Sequence, residues 1–518
     1  MSRYVVLGLV GLVAGLLEIV GPAPVLATGE SEPTTAQPPP ARSLDGDGLQ
    51  ALAAHLPGEA LDVAPLPESL GGGLGVLTAD GRDVADERPT LWRIDSDGAV
   101  TRLADDLPER SVSLLAAADA HSLWLAAEEG LYRLAPSASA GADGPRATAR
   151  RVLAADELVP AALRALPVAL AGTEPPTTSD SLPFAVPGVG SLRIVDLGDD
   201  SARTLASAPL PVDARRSRHG LYLSSPAVTP LDRSTWIAGP EPVGQDRLRL
   251  HRLHLEPGGD VLSEVFWARL PGPETLRAGS VLLVNGEPAV IALTTQGGMV
   301  DLFEKLSLRV FPLRPDRTGA GTGPILRTDT ATRRWYRPDV AADDVDGDGD
   351  DDLVVVQPLG LDADELRIDV YRGRGGVAFD GRAWSATLDL PSAAWSWGDD
   401  FDGDGTPDLA AVAEGRLRLF RGVADGRRPL ERRPWRELEL PAMDRSAELR
   451  LEQERDVDGG EPPPVRFAGR PRAIDLDRDG RMELVLRAPV AECPPTLCAE
   501  PTRRSSLVVI VRVDGPSY

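Results

Sequence analysis

The amino-acid sequence predicts an all-β fold of the β-propeller class, with about seven four-stranded blades. Short runs of apolar and β-branched residues recur in pairs along the chain, and Gly, Asn and Asp separate the two members of each pair. No long stretch shows the 3.6-residue apolar period of an amphipathic helix. Hairpins that repeat over hundreds of residues are typical of sandwich arrays and propellers.

The blade number and the closure of the ring follow from the spacing of these hairpins. One hairpin is predicted over residues 280–293, where Asn285 and Gly286 form a favoured type I′ turn. A blade with its loops takes roughly 60–70 residues, so residues 43–518 provide about seven blades. The last apolar run, residues 507–513, is predicted to pair with N-terminal strands, which would protect the edges of the sheet.

The N-terminus has the pattern of an export signal. A short basic start precedes an almost unbroken apolar run over residues 4–17, and residues 25–27 resemble a small-x-small cleavage site. We therefore predict a signal peptide over residues 1–27 and a Pro-rich linker over residues 28–42. An uncleaved anchor helix is the alternative, but the run is shorter than the ~20 apolar residues that span a bilayer. The chain is expected to be periplasmic, secreted or at the cell surface, with no transmembrane segment in its mature part.

The charge balance narrows the range of partners. The formal net charge is −24 at pH 7. Nucleic-acid binding depends on basic patches, so no nucleic-acid partner is expected, and adhesion to anionic membranes is disfavoured. An acidic surface of this kind suits cations.

Three loops in the last third of the chain carry the same acidic pattern. Each places carboxylates at positions 1, 3, 5 and 9 and a glycine at position 6. The carboxylates are Asp344, Asp346, Asp348 and Asp352 in the first loop, Asp400, Asp402, Asp404 and Asp408 in the second, and Asp475, Asp477, Asp479 and Glu483 in the third. Calcium takes six to eight oxygen ligands, and alternate acidic side chains around a tight turn can converge on one ion. The backbone carbonyl at position 7 would add a further oxygen, from Asp350, Thr406 or Arg481.

We therefore predict about three bound Ca²⁺ ions, one in each loop. The alternative is an acidic, solvated turn, but three loops with identical spacing argue against it. Oxygen-only ligands favour calcium over zinc or copper, and magnesium fits less well because it needs octahedral geometry and keeps waters. An EF-hand is excluded because position 12 is Val355, Ala411 or Leu486 and a strand-like run follows each loop.

The pattern D-x-D-G-D-G-x-x-D-L entering a strand resembles the FG-GAP/VCBS repeat of integrin α-subunits and many bacterial exported proteins. This resemblance implies a seven-bladed propeller with calcium held in loops between neighbouring strands of a blade. The resemblance is clearest over residues 339–486. The third loop departs from the pattern, with Arg478 in place of Gly and Glu483 in place of Asp.

No set of residues in the sequence suggests a nucleophile, a general acid or a general base. We therefore expect a non-enzymatic binding, adhesion or scaffold module with structural calcium and an unknown protein or glycan ligand. The alternative is a secreted propeller enzyme, such as a polysaccharide lyase or hydrolase, because a fold does not fix a function.

Overall fold

The computed structural model describes residues 41–513, all within one compact unit of residues 37–518. The predicted signal peptide and nearly all of the predicted linker lie outside the described residues. The described range is interrupted at 47–48, 81–87, 105, 109–110, 117–122, 128–129, 138–145, 155–181, 189–190, 198–201, 210–213, 218–219, 224–227, 231–234, 244–245, 257–260, 273, 297–304, 314–322, 334–337, 360–364, 391–393, 424–427, 441–470, 477–481 and 491–504.

In the described part of the chain, thirty-four strands form nine antiparallel sheets. In chain order, with semicolons between sheets, they are β1 (Arg42–Gly46) and β2 (Leu49–Pro57); β3 (Glu59–Pro65), β4 (Leu74–Asp80), β5 (Arg88–Ile94) and β6 (Val100–Ala104); β7 (Ser111–Ala116), β8 (Leu123–Ala127), β9 (Gly130–Pro136) and β10 (Ala147–Ala154); β11 (Leu182–Gly188), β12 (Ser191–Leu197) and β13 (Ala202–Pro209); β14 (Ala214–Ser217) and β15 (Gly220–Leu223); β16 (Val228–Pro230), β17 (Thr235–Val243), β18 (Arg247–Leu255) and β19 (Val261–Arg269); β20 (Glu274–Val284), β21 (Glu287–Gln296), β22 (Lys305–Pro312) and β23 (Leu326–Arg333); β24 (Asp339–Asp343), β25 (Asp352–Leu359), β26 (Glu365–Gly373) and β27 (Phe379–Leu388); β28 (Ala394–Asp399), β29 (Asp408–Ala413), β30 (Arg416–Phe420) and β31 (Arg436–Glu439); and β32 (Arg472–Ile474), β33 (Glu483–Val490) and β34 (Ser505–Val513), which join β1 and β2. One short 3₁₀ helix spans Glu68–Leu70.

The order and contacts of these sheets define a β-propeller, as the sequence predicts. Each four-stranded sheet uses consecutive strands, and neighbouring sheets touch through their first strands, as β20, β24, β28 and β32 do in succession. This arrangement places the first strand of each blade innermost. Seven of the described sheets have four or five strands, and the described parts of residues 182–223 form a three-stranded and a two-stranded sheet. Among the described residues, no helix is long and apolar enough to cross a bilayer.

The two ends of the described chain close the ring. The closing sheet has the order β1-β2-β34-β33-β32, so N-terminal and C-terminal strands hydrogen-bond to each other. Strands β2 and β34 pair without interruption from Leu49 opposite Val513 to Pro57 opposite Ser505. The prediction that the last apolar run pairs with N-terminal strands is therefore confirmed.

The core lies between adjacent blades. Every second residue of a strand faces the next sheet. Val354 and Val356 of β25 therefore pack in one cluster with Leu409 and Ala411 of β29. Burying such side chains stabilises the fold by about 25 cal/mol for each Å² of apolar surface that is removed from water. This packing fixes the spacing of neighbouring blades, and it fixes the loops at their ends.

A buried carboxylate joins three blades near the closure. Asp62 on β3 accepts backbone N–H groups from Val63 at 2.9 Å and from Leu114 on β7 at 3.0 Å. Its Oδ1 also lies 3.2 Å from Arg472 Nη1 and 3.9 Å from Arg487 Nη1, on β32 and β33. Asp62 therefore contacts the closing sheet, its own sheet and the following one.

Candidate metal centre

Each of the three acidic loops follows the innermost strand of its blade and leads into the neighbouring strand. The first loop spans residues 344–351 between β24 and β25, and the second spans 400–407 between β28 and β29. The third connects β32 to β33, and its Asp477, Asp479 and Arg481 lie outside the described residues. Because the two loops described in full follow corresponding strands, they occupy corresponding positions in their blades.

The first carboxylate of each described loop organises the turn. Asp344 Oδ1 accepts the N–H groups of Gly347 at 2.8 Å and Asp348 at 3.1 Å, and its Oδ2 accepts that of Gly349 at 2.9 Å. Asp400 makes the same three contacts, at 2.7, 3.1 and 2.8 Å, with the residues at positions 4, 5 and 6 of its loop. The position-6 glycines have φ of +91° and +84°, a conformation that side-chain-bearing residues rarely adopt.

The next two carboxylates hold the rest of the turn. At position 3, Asp346 and Asp402 accept the position-5 N–H at 3.3 and 3.1 Å. At position 5, Asp348 accepts the N–H of Asp350 at 3.0 Å, and the equivalent contact from Thr406 to Asp404 is 2.8 Å. Alternate side chains therefore point into the same turn in both loops, as their spacing predicts.

The position-9 carboxylates tie the first loop to the end of β26 and the second loop to the residues just after β30. Asp352 Oδ1 accepts the N–H of Gly373, and Asp408 Oδ1 accepts that of Gly422, both at 2.7 Å. Asp408 Oδ2 also accepts the N–H of Phe401, at position 2 of its loop, at 2.9 Å. In the third loop, Glu483 Oε2 accepts the equivalent position-2 N–H, from Leu476, at 2.8 Å. The longer glutamate therefore reaches the same backbone group as the aspartate it replaces.

Two sets of carboxylates have the spacing that a calcium ion requires. One oxygen each from Asp344, Asp346 and Asp348 lie within 4.8 Å of one another, and so do oxygens of Asp400, Asp402 and Asp408. Calcium–oxygen distances are ~2.3–2.6 Å, so two ligand oxygens on opposite sides of one ion lie ~4.6–5.2 Å from each other. Oxygens this close can share one ion. The all-oxygen donor set therefore fits calcium in both loops. Each set holds three of the four predicted carboxylates of its loop, and Asp352 and Asp404 are not part of these sets.

Sequence reasoning missed an arginine beside each described loop. Arg372 Nη2 lies 2.6 Å from Asp346 Oδ2, and Arg421 Nε lies 2.5 Å from Asp402 Oδ2. The signal available in the sequence is the repeated Arg-Gly pair, at residues 372–373 at the end of β26 and at residues 421–422 just after β30.

The first loop is also attached to the preceding blade. Asn285, in the β20–β21 turn, accepts the N–H of Asp351 on its Oδ1 at 2.8 Å and donates its own backbone N–H to the Asp351 carboxylate. Its side-chain amide donates to the Gly376 carbonyl at 2.9 Å. Asn285 and Gly286 have φ of +50° and +73°, so the predicted type I′ turn is confirmed.

Burial and mutual repulsion raise the pKa values of several loop carboxyls. Burial raises the pKa of Asp408 to about 7 and that of Asp352 to about 6, and the charges of neighbouring aspartates add to both shifts. Burial and the charge of Asp404 also raise the pKa of Asp402. Without a cation, these carboxyls hold their protons to higher pH than ordinary aspartates do, and a bound cation would favour their charged forms.

The pKa shifts predict opposite pH trends for stability and for calcium binding. Between pH ~4 and ~7 the folded metal-free chain retains protons on Asp352 and Asp408 that the unfolded chain has already released. Their contribution to stability is therefore present below pH ~4 and is lost as pH rises through 6 and 7. Calcium must displace these protons, so its apparent affinity is expected to fall as pH drops from 8 to 5.

Thermal melts in metal-depleted buffer and calcium titrations across this pH range check both trends. The matched control is Asp408→Asn, which does not titrate and should flatten the pH dependence of the metal-free melting temperature. An unchanged slope in this variant would contradict the assignment to Asp408.

Comparison with solved structures gives matches at low similarity. The chain is similar to Hsv2 from Kluyveromyces lactis, with 10% identity, a TM-score of 0.36 and coverage of 74% of this chain and 99% of that one. It is also similar to the WD40 domain of SCAP from fission yeast, with 9% identity, a TM-score of 0.28 and coverage of 92% and 91%. Neither similarity bears on function. No family model matches the chain, and no curated protein matches it either.

Proposed function

We propose that this chain is an exported, calcium-binding β-propeller of the FG-GAP/VCBS type, and that it acts as a non-enzymatic binding, adhesion or scaffold module. The observation that carries the proposal is the hydrogen-bond pattern repeated in two loops 56 positions apart. A solvated acidic turn has no need to reproduce the same inward-facing carboxylates, whereas a cation site does. Export is supported by the N-terminal sequence pattern alone.

A structural role for calcium is supported by where the loops attach. Position 1 of each loop follows the innermost strand of its blade, and position 9 begins the second strand and contacts the end of the third. An ion bound across positions 1 to 9 would therefore cross-link three strands of one blade. This placement favours a role in holding the blade together over a role in chemistry.

Calcium titration of the purified, metal-depleted protein by isothermal calorimetry tests the proposal. We expect three sites, one for each loop, and weaker binding of magnesium. The double variant Asp344→Asn/Asp346→Asn should lose one site, and Asp400→Asn/Asp402→Asn should lose another. The matched control is Asp95→Asn/Asp97→Asn. These residues form an ordinary turn in which Asp95 accepts the N–H groups of Asp97 and Ala99, and this variant should keep all sites.

Three results would contradict the proposal. If the parent protein binds no calcium, or if the loop variants retain the parent stoichiometry, the loops are not the sites. Depolymerisation of a polysaccharide by the calcium-loaded protein would contradict the non-enzymatic role and would support the lyase or hydrolase alternative.

A further inference from the structure

An arginine occupies the same register position beside each of the three acidic loops. The second strand of each blade starts with the position-9 carboxylate and then a leucine, and that leucine pairs with a residue of the third strand. These pairs are Leu353 with Tyr371, Leu409 with Phe420, and Leu484 with Val511. The next residue in the chain is Arg372 on β26, Arg421 directly after the end of β30, and Arg512 on β34. Three blades therefore place a guanidinium group opposite position 9.

In the two loops described in full, this arginine neutralises the position-3 carboxylate. The side chain of Asp402 is only 2% exposed, and Arg421 is its cationic partner at 2.5 Å. Asp346 is 11% exposed and has Arg372 at 2.6 Å. A buried carboxylate without a partner is costly, so each guanidinium stabilises the charged form of its partner. In the third blade, Arg512 Nε lies 3.6 Å from Glu483 Oε1, at position 9.

The same contact opposes the binding of a cation. The position-3 carboxylate uses Oδ1 for the position-5 N–H group and Oδ2 for the arginine, so both oxygens already have partners. A calcium ion that takes one of these oxygens meets a positive charge a few ångströms away. The Arg421 guanidinium also lies over the Trp435 ring, 4.8 Å from the centroid, which holds the positive charge beside Asp402.

We propose that Arg372 and Arg421 act as internal counter-cations that hold the loops folded without calcium and weaken calcium binding by competing for the position-3 carboxylates. The inference rests on the proposed calcium-binding function. Each arginine is expected to stabilise the metal-free fold and to lower the affinity for calcium. A residue with a merely structural role would weaken both when it is removed.

The test replaces each arginine with an apolar side chain of similar length. Arg372→Met and Arg421→Met are each expected to bind calcium at their own loop about tenfold more tightly, because one nearby positive charge is removed. Each is also expected to melt at a lower temperature than the parent in metal-depleted buffer. Arg421→Lys keeps the charge and should lie between Arg421→Met and the parent in both measurements.

Matched controls lie on the same blades. Arg374 is 66% exposed and pairs with Asp380, and Arg416 is 51% exposed and lies 3.7 Å from Glu437. Arg374→Met and Arg416→Met remove the same net charge from exposed side chains that pair with carboxylates outside the acidic loops. They should leave calcium affinity within about twofold of the parent, since exposed charges at a distance are screened.

The outcomes separate this inference from the proposed function. Tighter calcium binding together with a lower metal-free melting temperature in either loop supports the inference. If the parent binds calcium but both methionine variants bind it equally or more weakly, the inference is overturned and the function stands. If the controls gain as much affinity as the test variants, net charge alone is responsible and the inference is overturned. A parent protein that binds no calcium overturns both.

Discussion

Replacing Asp62 with alanine is expected to lower the free energy of unfolding by about 3 kcal/mol. Asp62 is 4% exposed, and its two oxygens serve the N–H groups of Val63 and Leu114 together with Arg472 and Arg487. Removal leaves two backbone donors without this acceptor and two guanidinium groups without this counter-charge. Arg472 is 41% exposed and recovers part of its solvation from water, so most of the cost comes from the two buried N–H groups and from Arg487.

Urea unfolding followed by far-ultraviolet circular dichroism measures this loss. The exposed Asp97→Ala variant carries the same charge change and should cost less than about 0.5 kcal/mol. Asp62→Asn keeps one acceptor oxygen without the charge and should fall between the two. Equal losses for Asp62→Ala and Asp97→Ala would show that the contact between the three blades contributes little to stability.

The parts of the fold that the sequence could predict are those set by local pattern. The type I′ turn at Asn285 and Gly286 follows from the φ values that Asn and Gly tolerate, and the closing strand follows from its apolar character. The positions of Asp344 and Asp400 follow from the fixed geometry of a short turn with alternate carboxylates. The turn and the loops involve residues within about ten positions of one another, whereas the closing strand pairs with the distant β2 and is predicted from the need to protect sheet edges.

Contacts between distant residues could not be predicted in the same way. Arg472 and Asp62 are 410 positions apart, and Asn285 and Asp351 are 66 apart, so no local period connects them. Nearly all of the cationic side chains in the chain are arginine, so residue type alone does not distinguish Arg421 from the other arginines. Its role becomes visible only through register, since Leu409 pairs with Phe420 and Asp408 and Arg421 are the next residues outward from that pair.

Calcium is expected to raise the melting temperature of the metal-depleted protein, and Asp348→Asn is expected to remove one site's share of that increase. A ligand bound only by the folded state stabilises it by RT ln(1 + [L]/Kd), about 2.7 kcal/mol per site at a hundredfold excess over Kd. Asp348 is exposed, and its described contact is with the N–H of Asp350, which an asparagine oxygen can still accept. The substitution should therefore leave the metal-free melting temperature nearly unchanged while weakening the ion's ligand set.

The matched control lies two residues further along the same loop. Asp350→Asn changes the net charge by the same amount, but position 7 is predicted to offer its backbone carbonyl to the ion, which the substitution retains. Calorimetric melts with and without calcium should therefore show a normal response for Asp350→Asn and a reduced one for Asp348→Asn. Equal responses would mean that calcium acts on the overall charge of the acidic loop and not through the side chain at position 5. If the parent protein melts at the same temperature with and without calcium, calcium does not stabilise the blades. The inward-facing carboxylates would then be held only by their backbone N–H contacts and by Arg372 and Arg421.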